Sequence, residues 1–594
     1  MFLTKIFVGA TKKAIEQIPI ARSLIIGKAF DFLNMGKLIE KAGIKKRSGI
    51  SAEHIALIYS LFGVSDAKSI VGLTEQVKKD KLLREIIESK HGKVNLNNKV
   101  INNFVDGIDV EKGKILNDER VKVMQTNPIT KAKIDGVIIG DDTNLKKTGK
   151  NMENISTIYD HTDGTYEMGY CVVTTHYADD EKNYPLFPDF RLKSDEEKKD
   201  DEIKKLKNNL GVDDRSPKDL LKLIDYQIAN KNAPDIVVLA GSSFNLPTVN
   251  EVKKRGIGWM GVCNKNRKYV VSNKVEKAKK IVSDVKEEEY IPLEGDGHHR
   301  VAIKKGKMDG VGEVNLLIVN NISEDTTKLY VTEAMEDKKS IEYLTIAISR
   351  EKRVDETKPK LFLEQLARAK KCGIVAENVV FDRWYYIVWL IIGVLALGFR
   401  RVVVKTKKNI LYHFNGKECN VDEIKATISD TEYTYYKEEN IFMTSRIVHQ
   451  RGIGNVKLVF VKELNAKGKV TQEYSLMCTD SDCEDIKVFR IGKARWKIEM
   501  FYREVKQNHG MNDFHMRKFS GICAHILFVF ISFTFLTVLR LLLPGLLDKT
   551  LGWIKREYVN ATVKIKKVKG KISVIFYKEF ISRYGLMKDI SPYE

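Results

Sequence analysis

One segment near the C-terminal end of the chain, Arg495 to Lys506, combines residue types that could hold a metal ion against a phosphate. Read as a helix with about 100° between successive residues, it places Arg495, Glu499 and Lys506 on one face. Tyr502 shares this face, and apolar residues form a separate stripe beside it. Glu499 could bind the metal while the two cations neutralise a nucleic-acid backbone. The segment alone is more typical of an amphipathic surface helix with charge pairs four residues apart.

Two further sets of carboxylates follow predicted strands. Strand 134–140 ends in Asp141 and Asp142, and strand 378–381 ends in Asp382. Asp-Asp-Thr is also ordinary turn chemistry, which is the better reading of that segment alone. Two strand-end aspartates and the helical Glu499 could nevertheless hold two Mg²⁺ ions, for which Mn²⁺ would substitute. One ion would activate water or a 3′-hydroxyl, and the other would stabilise the leaving oxygen of an in-line phosphoryl displacement.

The bulk composition favours a folded protein with a polyanionic partner. At 594 residues the chain is too long for one compact core, so we expect about two to four domains. Lys and Arg exceed Asp and Glu by 22, which indicates DNA, RNA or an anionic membrane surface as the partner. The seven cysteines are scattered and odd in number. We therefore expect reduced thiols in a cytoplasm rather than a secreted disulfide framework.

A long apolar run, residues 526–547, could be a transmembrane helix. Arg540 and Pro544 interrupt it, and basic residues flank both of its ends rather than one. A buried helix is the favoured interpretation, and a membrane is an unexpected partner.

An internal repeat with an offset of 142 residues follows a highly charged stretch, 195–231, which we interpret as an exposed helical connector. The offset superposes 218–240 on 360–382, and 310–319 on 452–461. A third match aligns 256–266 with 398–408. One constant offset across separate matches indicates a duplicated unit, each copy reading helix, strand, helix, strand and a β-rich insert. The alternative is an unrelated insert whose predicted strands have a similar spacing.

The two copies differ where chemistry would lie. The strand of the second copy ends in Asp382, and the corresponding strand of the first ends in Ala240. Downstream, the second copy leads to Glu499, whereas the first reaches Val354 without an acid at the matching position. The first copy therefore reads as a scaffold without metal ligands.

The chain resembles the DD(E/D) cut-and-paste transposases of prokaryotic insertion sequences, in which a β-strand insertion precedes the catalytic Glu of an RNase H-like core. Four segments carry the resemblance, and together they cover roughly half of the chain. They are Ile139-Gly-Asp141-Asp-Thr-Asn-Leu145 with Lys147, Gly149 and Lys150; Tyr159-Asp-His161; Val380-Phe-Asp382-Arg-Trp-Tyr385; and Arg495-Trp-Lys-Ile-Glu499-Met-Phe501 with Lys506.

The resemblance implies roles for individual residues. Asp141, Asp382 and Glu499 would be the catalytic metal ligands, and Asp141 is preferred to Asp142 because Leu145 then lies four residues on. DNA-backbone contacts would come from residues on either side of these acids, namely Arg495, Lys506, Lys147 and Lys150.

Three further positions lie near Glu499 in the sequence. The family's Tyr would fall at Gly492, and Tyr502 is a DNA-contacting candidate on the same helix face instead. Trp496 could stack on an unpaired base, although a core tryptophan is the favoured alternative.

The resemblance also implies an activity and partners. Water would free a 3′-hydroxyl at the transposon end, and this hydroxyl would attack the opposite strand or target DNA. The enzyme would pair two double-stranded DNA ends, commonly as a homodimer, in the cytoplasm near the nucleoid, and it would need no small-molecule substrate.

The predicted fold class is α/β, an RNase H-like core with inserted α/β and β-rich subdomains behind a helical DNA-binding domain. The predicted segments are 1–130, a helical DNA-binding domain; 131–194, the first core part; 195–359, an inserted degenerate repeat; 360–404, the core segment with the second Asp; 405–488, a β-rich insertion; 489–547, core helices with the catalytic Glu; and 548–594, a basic segment with a hairpin around Lys571. A plain helical cap is an equal alternative for 1–130.

Two other functions remain open from the sequence. The long insert could have left a non-catalytic DNA-binding descendant of a transposase, although the three acids are intact. Alternatively, 526–547 could anchor a membrane-associated protein.

Overall fold

The computed structural model describes residues 15–18, 22–46, 48–65, 67–80, 83–84, 87–88, 91–92, 95–149, 151–160, 164–193, 216–229, 233–264, 266–293, 299–321, 326–351, 357–559, 563–568 and 571–576. The chain forms two compact units. Unit 1 combines residues 1–193 with 357–594, and unit 2 consists of 194–356.

The first part of unit 1 is helical and then stranded. Its elements are β1 (Ile15–Ile18), α1 (Arg22–Phe32), α2 (Met35–Lys41), α3 (Ala52–Ser60), α4 (Ile70–Lys79), α5 (Asn98–Asp106), α6 (Val110–Thr126), β2 (Val137–Lys146), β3 (Ser156–Asp160), β4 (Thr165–Ala178) and β5 (Asn183–Arg191). Side chains of Ser51, Asn97 and Asp109 accept backbone N–H groups and so begin α3, α5 and α6.

Unit 2 follows with helices and strands of its own. They are α7 (Pro217–Ala229), β6 (Ile236–Leu239), α8 (Leu246–Lys254), β7 (Gly258–Val262), β8 (Lys268–Val271), β9 (Lys274–Lys277), α9 (Ala278–Ser283), β10 (Ile291–Pro292), β11 (His299–Met308), β12 (Gly312–Asn321), β13 (Thr326–Glu333) and α10 (Asp337–Glu351).

The chain then returns to unit 1. Its remaining elements are α11 (Thr357–Lys371), β14 (Asn378–Phe381), α12 (Val388–Ala396), β15 (Arg401–Lys405), β16 (Leu411–Phe414), β17 (Lys417–Asn420), α13 (Val421–Lys425), β18 (Thr434–Tyr436), β19 (Ile441–Gln450), β20 (Gly454–Leu464), β21 (Val470–Cys478), α14 (Asp485–Ala494), α15 (Trp496–Asn508), α16 (Phe519–Leu542), α17 (Leu551–Trp553), β22 (Val563–Val568) and β23 (Lys571–Phe576).

A large mixed sheet forms the centre of unit 1. Its strands run in the order β17-β16-β19-β20-β21-β15-β14-β2-β4-β3, with β18 on β19 and β5 on β4. The pairs β3–β4 and β4–β2 are antiparallel, and β2–β14 and β14–β15 are parallel. The α/β class predicted from the sequence is therefore confirmed.

Unit 2 repeats part of this topology. Its sheet has the order β6-β7-β13-β12-β11-β8-β9 with β10 on β11, and the corresponding strands of unit 1 have the order β14-β15-β21-β20-β19-β16-β17 with β18 on β19. Turn glycines with positive φ recur 142 residues apart, Gly310 with Gly452 and Gly312 with Gly454. One strand order therefore occurs twice, and in unit 1 its first strand also pairs with β2.

The apolar run near the C-terminus is α16, the central helix of unit 1. It is long and apolar enough to cross a membrane, and nearly all of its apolar stretch is buried inside the protein. Helices α1, α3, α5 and α6 and strand β5 pack against it. A buried core helix meets the same criteria of length and composition.

Several sequence predictions need correction at the level of elements. Strand β2 does not end before Asp141 but continues to Lys146, because the long strand β4 pairs with its whole length. Residues 15–18, predicted as helical, form a strand on β22, since pairing with the C-terminal hairpin satisfies their backbone. The predicted hairpin around Lys571 is confirmed as β22–β23. Most of the predicted connector 195–231 lies outside the described residues.

Candidate active site

Strand register brings the first two acidic residues together. β14 pairs in parallel with β2 so that Phe381 lies opposite Gly140. The next residues along the two strands are Asp382 and Asp141, so both carboxylates leave the sheet at the same level. Gly140 must lack a side chain here, because a Cβ would lie 2.1 Å from the Phe362 ring.

Glu499 reaches this position from α15, which packs against β2. Arg495, the residue before α15, links all three acids. Its Nη1 lies 3.7 Å from Asp141 Oδ2 and 3.8 Å from Asp382 Oδ2, and its Nη2 donates to Glu499 Oε1. Three segments that are far apart in sequence therefore meet around one guanidinium group.

The environment of the cluster disfavours the charged form of Asp141. Burial, followed by the nearby Asp142 carboxylate, raises the pKa of Asp141 to about 7, and Asp382 adds to the rise. The backbone N–H of Asp142 and the Arg495 guanidinium act in the opposite direction. One guanidinium therefore does not fully neutralise the group.

Asp142 has a different environment from Asp141, because successive strand residues point to opposite faces. Its carboxylate accepts hydrogen bonds from Lys358 Nζ and Tyr385 Oη, both at 2.9 Å. Asp141 lies on the face with Arg495. This geometry supports the preference for Asp141 over Asp142 as the candidate ligand.

Lys506 lies on the Asp141 face of β2. Its Nζ donates to Thr143 Oγ1 at 2.6 Å and to the Asn144 carbonyl at 3.0 Å. Burial lowers the pKa of Lys506. The ammonium thus ties α15 to β2 and retains one N–H for another acceptor.

Two of the predicted DNA contacts are corrected by the structure. Tyr502 is buried and its hydroxyl is enclosed, so it cannot contact DNA and serves as a packing residue under the site. Lys147 donates to the carbonyls of Asn512 and Phe514 and lies 3.5 Å from the Phe514 ring centroid. Burial lowers the pKa of Lys147 to about 8, in keeping with a structural role. Lys150 lies outside the described residues, as does His161.

Trp496 is 52% exposed, so the favoured interpretation of a core tryptophan is wrong. The helix begins at this residue, directly after Arg495, and its outer face has no covering element in the described part of the chain. Arg503 lies over the indole with 5.8 Å between the guanidinium carbon and a ring centroid.

Sequence reasoning missed the surroundings of Asp382. Trp384 is 37% exposed two residues beyond it, and its backbone N–H donates to Asp382 Oδ1 at 2.9 Å. Arg383 is exposed, and Lys405 and Lys407 lie close enough that the charges of Asp382 and Arg383 affect their pKa values. Burial is the main cause that lowers both lysine pKa values. The run Asp-Arg-Trp beside a predicted strand end was the available signal.

A metal site is consistent with the donor set but is not formed as the side chains stand. Within the described residues, no group of three or more His, Cys, Asp or Glu side chains is close enough to hold an ion. The Arg495 guanidinium lies between the three carboxylates. Oxygen donors around a cation, with a carboxyl pKa raised partly by like charge, fit a hard divalent ion.

Comparison with known proteins adds no assignment to this geometry. Neither a protein-family model nor a curated protein matches the chain.

Proposed function

We propose that this protein is a DD(E/D)-type DNA transposase that cleaves and joins DNA strands at transposon ends. The observation that carries the proposal is the meeting of Asp141, Asp382 and Glu499 around Arg495. These acids come from a central strand, the end of the neighbouring parallel strand and a later helix. The sequence resemblance selects the same three residues.

The strand arrangement supports the catalytic core that the resemblance implies. β3, β4 and β2 are antiparallel neighbours, and β14 and β15 continue the sheet in parallel. A β-rich segment, β16 to β21, separates β15 from the helices that carry Glu499. An insertion before the glutamate is the feature expected of the family.

Asp141, Asp382 and Glu499 are the residues that would hold Mg²⁺ or Mn²⁺. Two such ions would activate the attacking water or 3′-hydroxyl and stabilise the leaving oxygen. With the ions bound, Arg495 would share its three carboxylate partners with them. Some of its N–H groups would then be available to a DNA phosphate. Lys506 and the cations around Asp382 would neutralise the neighbouring backbone.

The distribution of charge supports a polyanionic partner for unit 1. Residues 194–356 contain 30 Lys and Arg and 30 Asp and Glu, so the entire excess of 22 positive charges belongs to residues 1–193 and 357–594. Unit 1 also contains a groove between its N-terminal helices that is lined by Lys45, Lys46 and Lys112. We assign double-stranded DNA to this unit, with a homodimer pairing two ends near the nucleoid.

The proposal is tested with labelled DNA from the inverted repeats that should flank the gene, incubated with the full chain and Mg²⁺. Glu499→Gln removes the charge and keeps the shape, and we expect strand cleavage to fall by about 10³-fold. The matched control is Glu504→Gln on the same helix, which should retain cleavage. Equal cleavage by Glu499→Gln and the unsubstituted protein would refute the site. DNA binding without any divalent-dependent nicking would instead indicate a non-catalytic DNA-binding protein.

A further inference from the structure

Two cysteines lie next to each other between the β-rich segment of unit 1 and the helices that lead to Glu499. Cys478 is the last residue of β21, and Cys483 lies in the connection to α14. The backbone N–H of Cys483 donates to the Asp480 carbonyl at 3.2 Å, which turns the connection back towards the strand end. The two thiols are hydrogen-bonded to each other. All seven cysteines of the chain are free, so this pair is a dithiol.

The two thiols have different chemical states. Cys478 is completely buried, and both its hydrogen bond to Cys483 and its burial raise the pKa of its thiol. Acceptance of that hydrogen bond, aided by the Arg401 guanidinium and opposed by burial, lowers the pKa of Cys483 to about 7. The thiolate is the nucleophilic form of cysteine. The pair therefore holds a nucleophilic sulfur in contact with a second, protonated thiol.

Other cysteines of the described chain have the opposite character. Burial raises the pKa of Cys263 and of Cys372 to about 11, and that of Cys523 to about 12. These side chains remain protonated at neutral pH, and protonated, enclosed thiols react slowly. They serve as internal references for the reactivity of Cys483.

The duplicated unit shows that the fold does not need this pair. Cys478 lies opposite Lys457 across the strands β20 and β21. The residue that matches Lys457 under the offset of 142 is Asn315, which lies opposite Thr332 across β12 and β13. From strand to helix, the connection has six residues in unit 1 and three in unit 2, and those three include no cysteine. The strand position thus accepts a threonine, and the longer connection of unit 1 supplies Cys483.

We propose that Cys478 and Cys483 form a reversible disulfide in response to hydrogen peroxide. In the first step the Cys483 sulfur attacks one peroxide oxygen, so that an S–O bond forms and the O–O bond breaks. This step leaves a sulfenic acid on Cys483, and the departing hydroxide takes a proton from solvent. In the second step the Cys478 sulfur attacks the Cys483 sulfur, an S–S bond forms, and the S–O bond breaks. The hydroxyl leaves as water with the Cys478 proton.

The electrons of this reaction balance without a further reagent. The two cysteines lose two electrons together, and one hydrogen peroxide is reduced to two molecules of water. Cys483 is 4% exposed, which suits an oxidant as small as peroxide. A dithiol reductant reverses the reaction by thiol–disulfide exchange. The inference is independent of the proposed function, because no step involves DNA or a metal ion.

The position of the pair gives the disulfide a structural consequence. Sulfur atoms in a disulfide are about 2.05 Å apart, which is closer than in hydrogen-bonded thiols, so the connection must tighten when the bond forms. The Cys483 carbonyl already accepts from Lys457 Nζ at 2.6 Å, which holds the connection on the sheet. Helix α14 starts two residues later, packs against β14 and β15, and ends directly before Arg495. We expect slower amide hydrogen exchange in the connection and in the first turn of α14 after oxidation.

Peptide mapping of the full chain before and after treatment with peroxide tests the proposal. Trypsin should release residues 470–487 as one peptide that contains both cysteines. After oxidation this peptide should be lighter by two hydrogens and should no longer react with an alkylating reagent, and dithiothreitol should restore both properties. Peptides that carry Cys372 and Cys523 should stay fully alkylated.

Two variants separate the steps. Cys478→Ser removes the second thiol, so the sulfenic acid on Cys483 should persist and be trapped by dimedone. The matched control is Cys372→Ser, which removes another buried cysteine and should leave the yield of the disulfide unchanged. Thermal melting shows whether each variant is folded, and mapping of the unsubstituted protein decides the question without either variant.

The exposed Met500 provides a measure of dose, because its side chain is 45% exposed and methionine is oxidised by the same reagent. A Cys483 that remains a thiol after Met500 has become a sulfoxide would overturn the inference. So would oxidation of Cys372 or Cys523 at the same dose, or a sulfinic acid on Cys483 in place of the disulfide. None of these outcomes depends on whether the chain cleaves DNA, so the two proposals fail separately.

Discussion

The described residues contain two copies of one strand arrangement, and the acidic cluster is built on one of them. The copies share the order helix, strand, helix, strand and β-rich meander, and they share turn glycines at matched positions. The copy in unit 2 has Ala240 where the copy in unit 1 has Asp382, and residues 194–356 have no net charge. The comparison teaches that hydrophobic patterning and turns maintain this fold without acids or excess cations.

The neighbours of the first strand explain why only one copy can build the cluster. In unit 1, β14 pairs with β2, and this register places Asp141 beside Asp382. The sheet of unit 2 begins at β6, with β7 as its neighbour among the described strands. An acid at the end of β6 would therefore have no second acid on a neighbouring described strand with which to share a cation.

The largest effect is expected from making the copy in unit 1 resemble the copy in unit 2. Asp382→Ala reproduces the alanine at the matched strand end of unit 2. We expect cleavage of end DNA to fall by about 10³-fold, because the substitution removes a candidate metal ligand and also the carboxylate that accepts the backbone N–H of Trp384. Ser242→Ala, at the matched turn of unit 2, is the control. A comparable loss in both variants would mean that the copies do not differ in function.

The second prediction concerns the raised pKa of Asp141 in the acidic cluster of unit 1. Asp141 has a pKa raised to about 7 from an ordinary value near 3.8. The stability that comes from its bound proton is complete below pH 3.8 and is lost as the pH rises through 7. Asp141→Asn should therefore raise the melting temperature of the metal-free protein at pH 8 more than at pH 5.

The control for this measurement is Asp142→Asn. That carboxylate accepts from Lys358 and Tyr385, so its removal should lower the melting temperature. A pH-independent effect of Asp141→Asn would contradict the electrostatic account.

A smaller effect tests whether the charge difference between the units governs DNA binding. Arg383→Ala removes an exposed cation next to Asp382, and the slope of log K against log salt should become shallower by about 0.9. Lys268→Ala removes an exposed cation from neutral unit 2 and should leave the slope unchanged. Titrations by fluorescence anisotropy at several salt concentrations measure both slopes, and equal changes would assign DNA contacts to unit 2 as well.

The smallest expected effect is a loss of stability that should be equal in the two copies. Gly312 and Gly454 have φ of 99° and 105°, and a Cβ at either would meet no atom within 4 Å. An alanine there would cost about 1 kcal/mol through the backbone alone. Amide hydrogen exchange in the two hairpins should show this loss after each substitution, whereas unequal losses would show that the turns are not equivalent.

The sequence alone determined the features that depend on local pattern. The α/β class, the C-terminal hairpin and the long apolar helix follow from alternation, turn residues and run length. The 142-residue offset was visible because glycines with positive φ have few substitutes. The candidate acids were also readable, because two of them follow predicted strands and the third lies on the charged face of a predicted helix.

Only the tertiary structure decided which side chains are accessible. Lys147 and Tyr502 were both predicted to contact DNA, but Lys147 donates to the carbonyls of Asn512 and Phe514, and Tyr502 is buried. Trp496 read as a core residue, but no described element covers it. Burial depends on the elements that pack from elsewhere in the chain, and spacing along one helix does not contain that information.

The convergence of the acids was likewise a tertiary result. Asp141 and Asp382 are 241 residues apart, and a strand register of one residue more or less would turn one side chain to the other face. The sequence supplied the carboxylates and the guanidinium of Arg495. Sheet pairing and the packing of α15 on β2 placed them together, because backbone hydrogen bonds and apolar burial, rather than the charges themselves, fix that geometry.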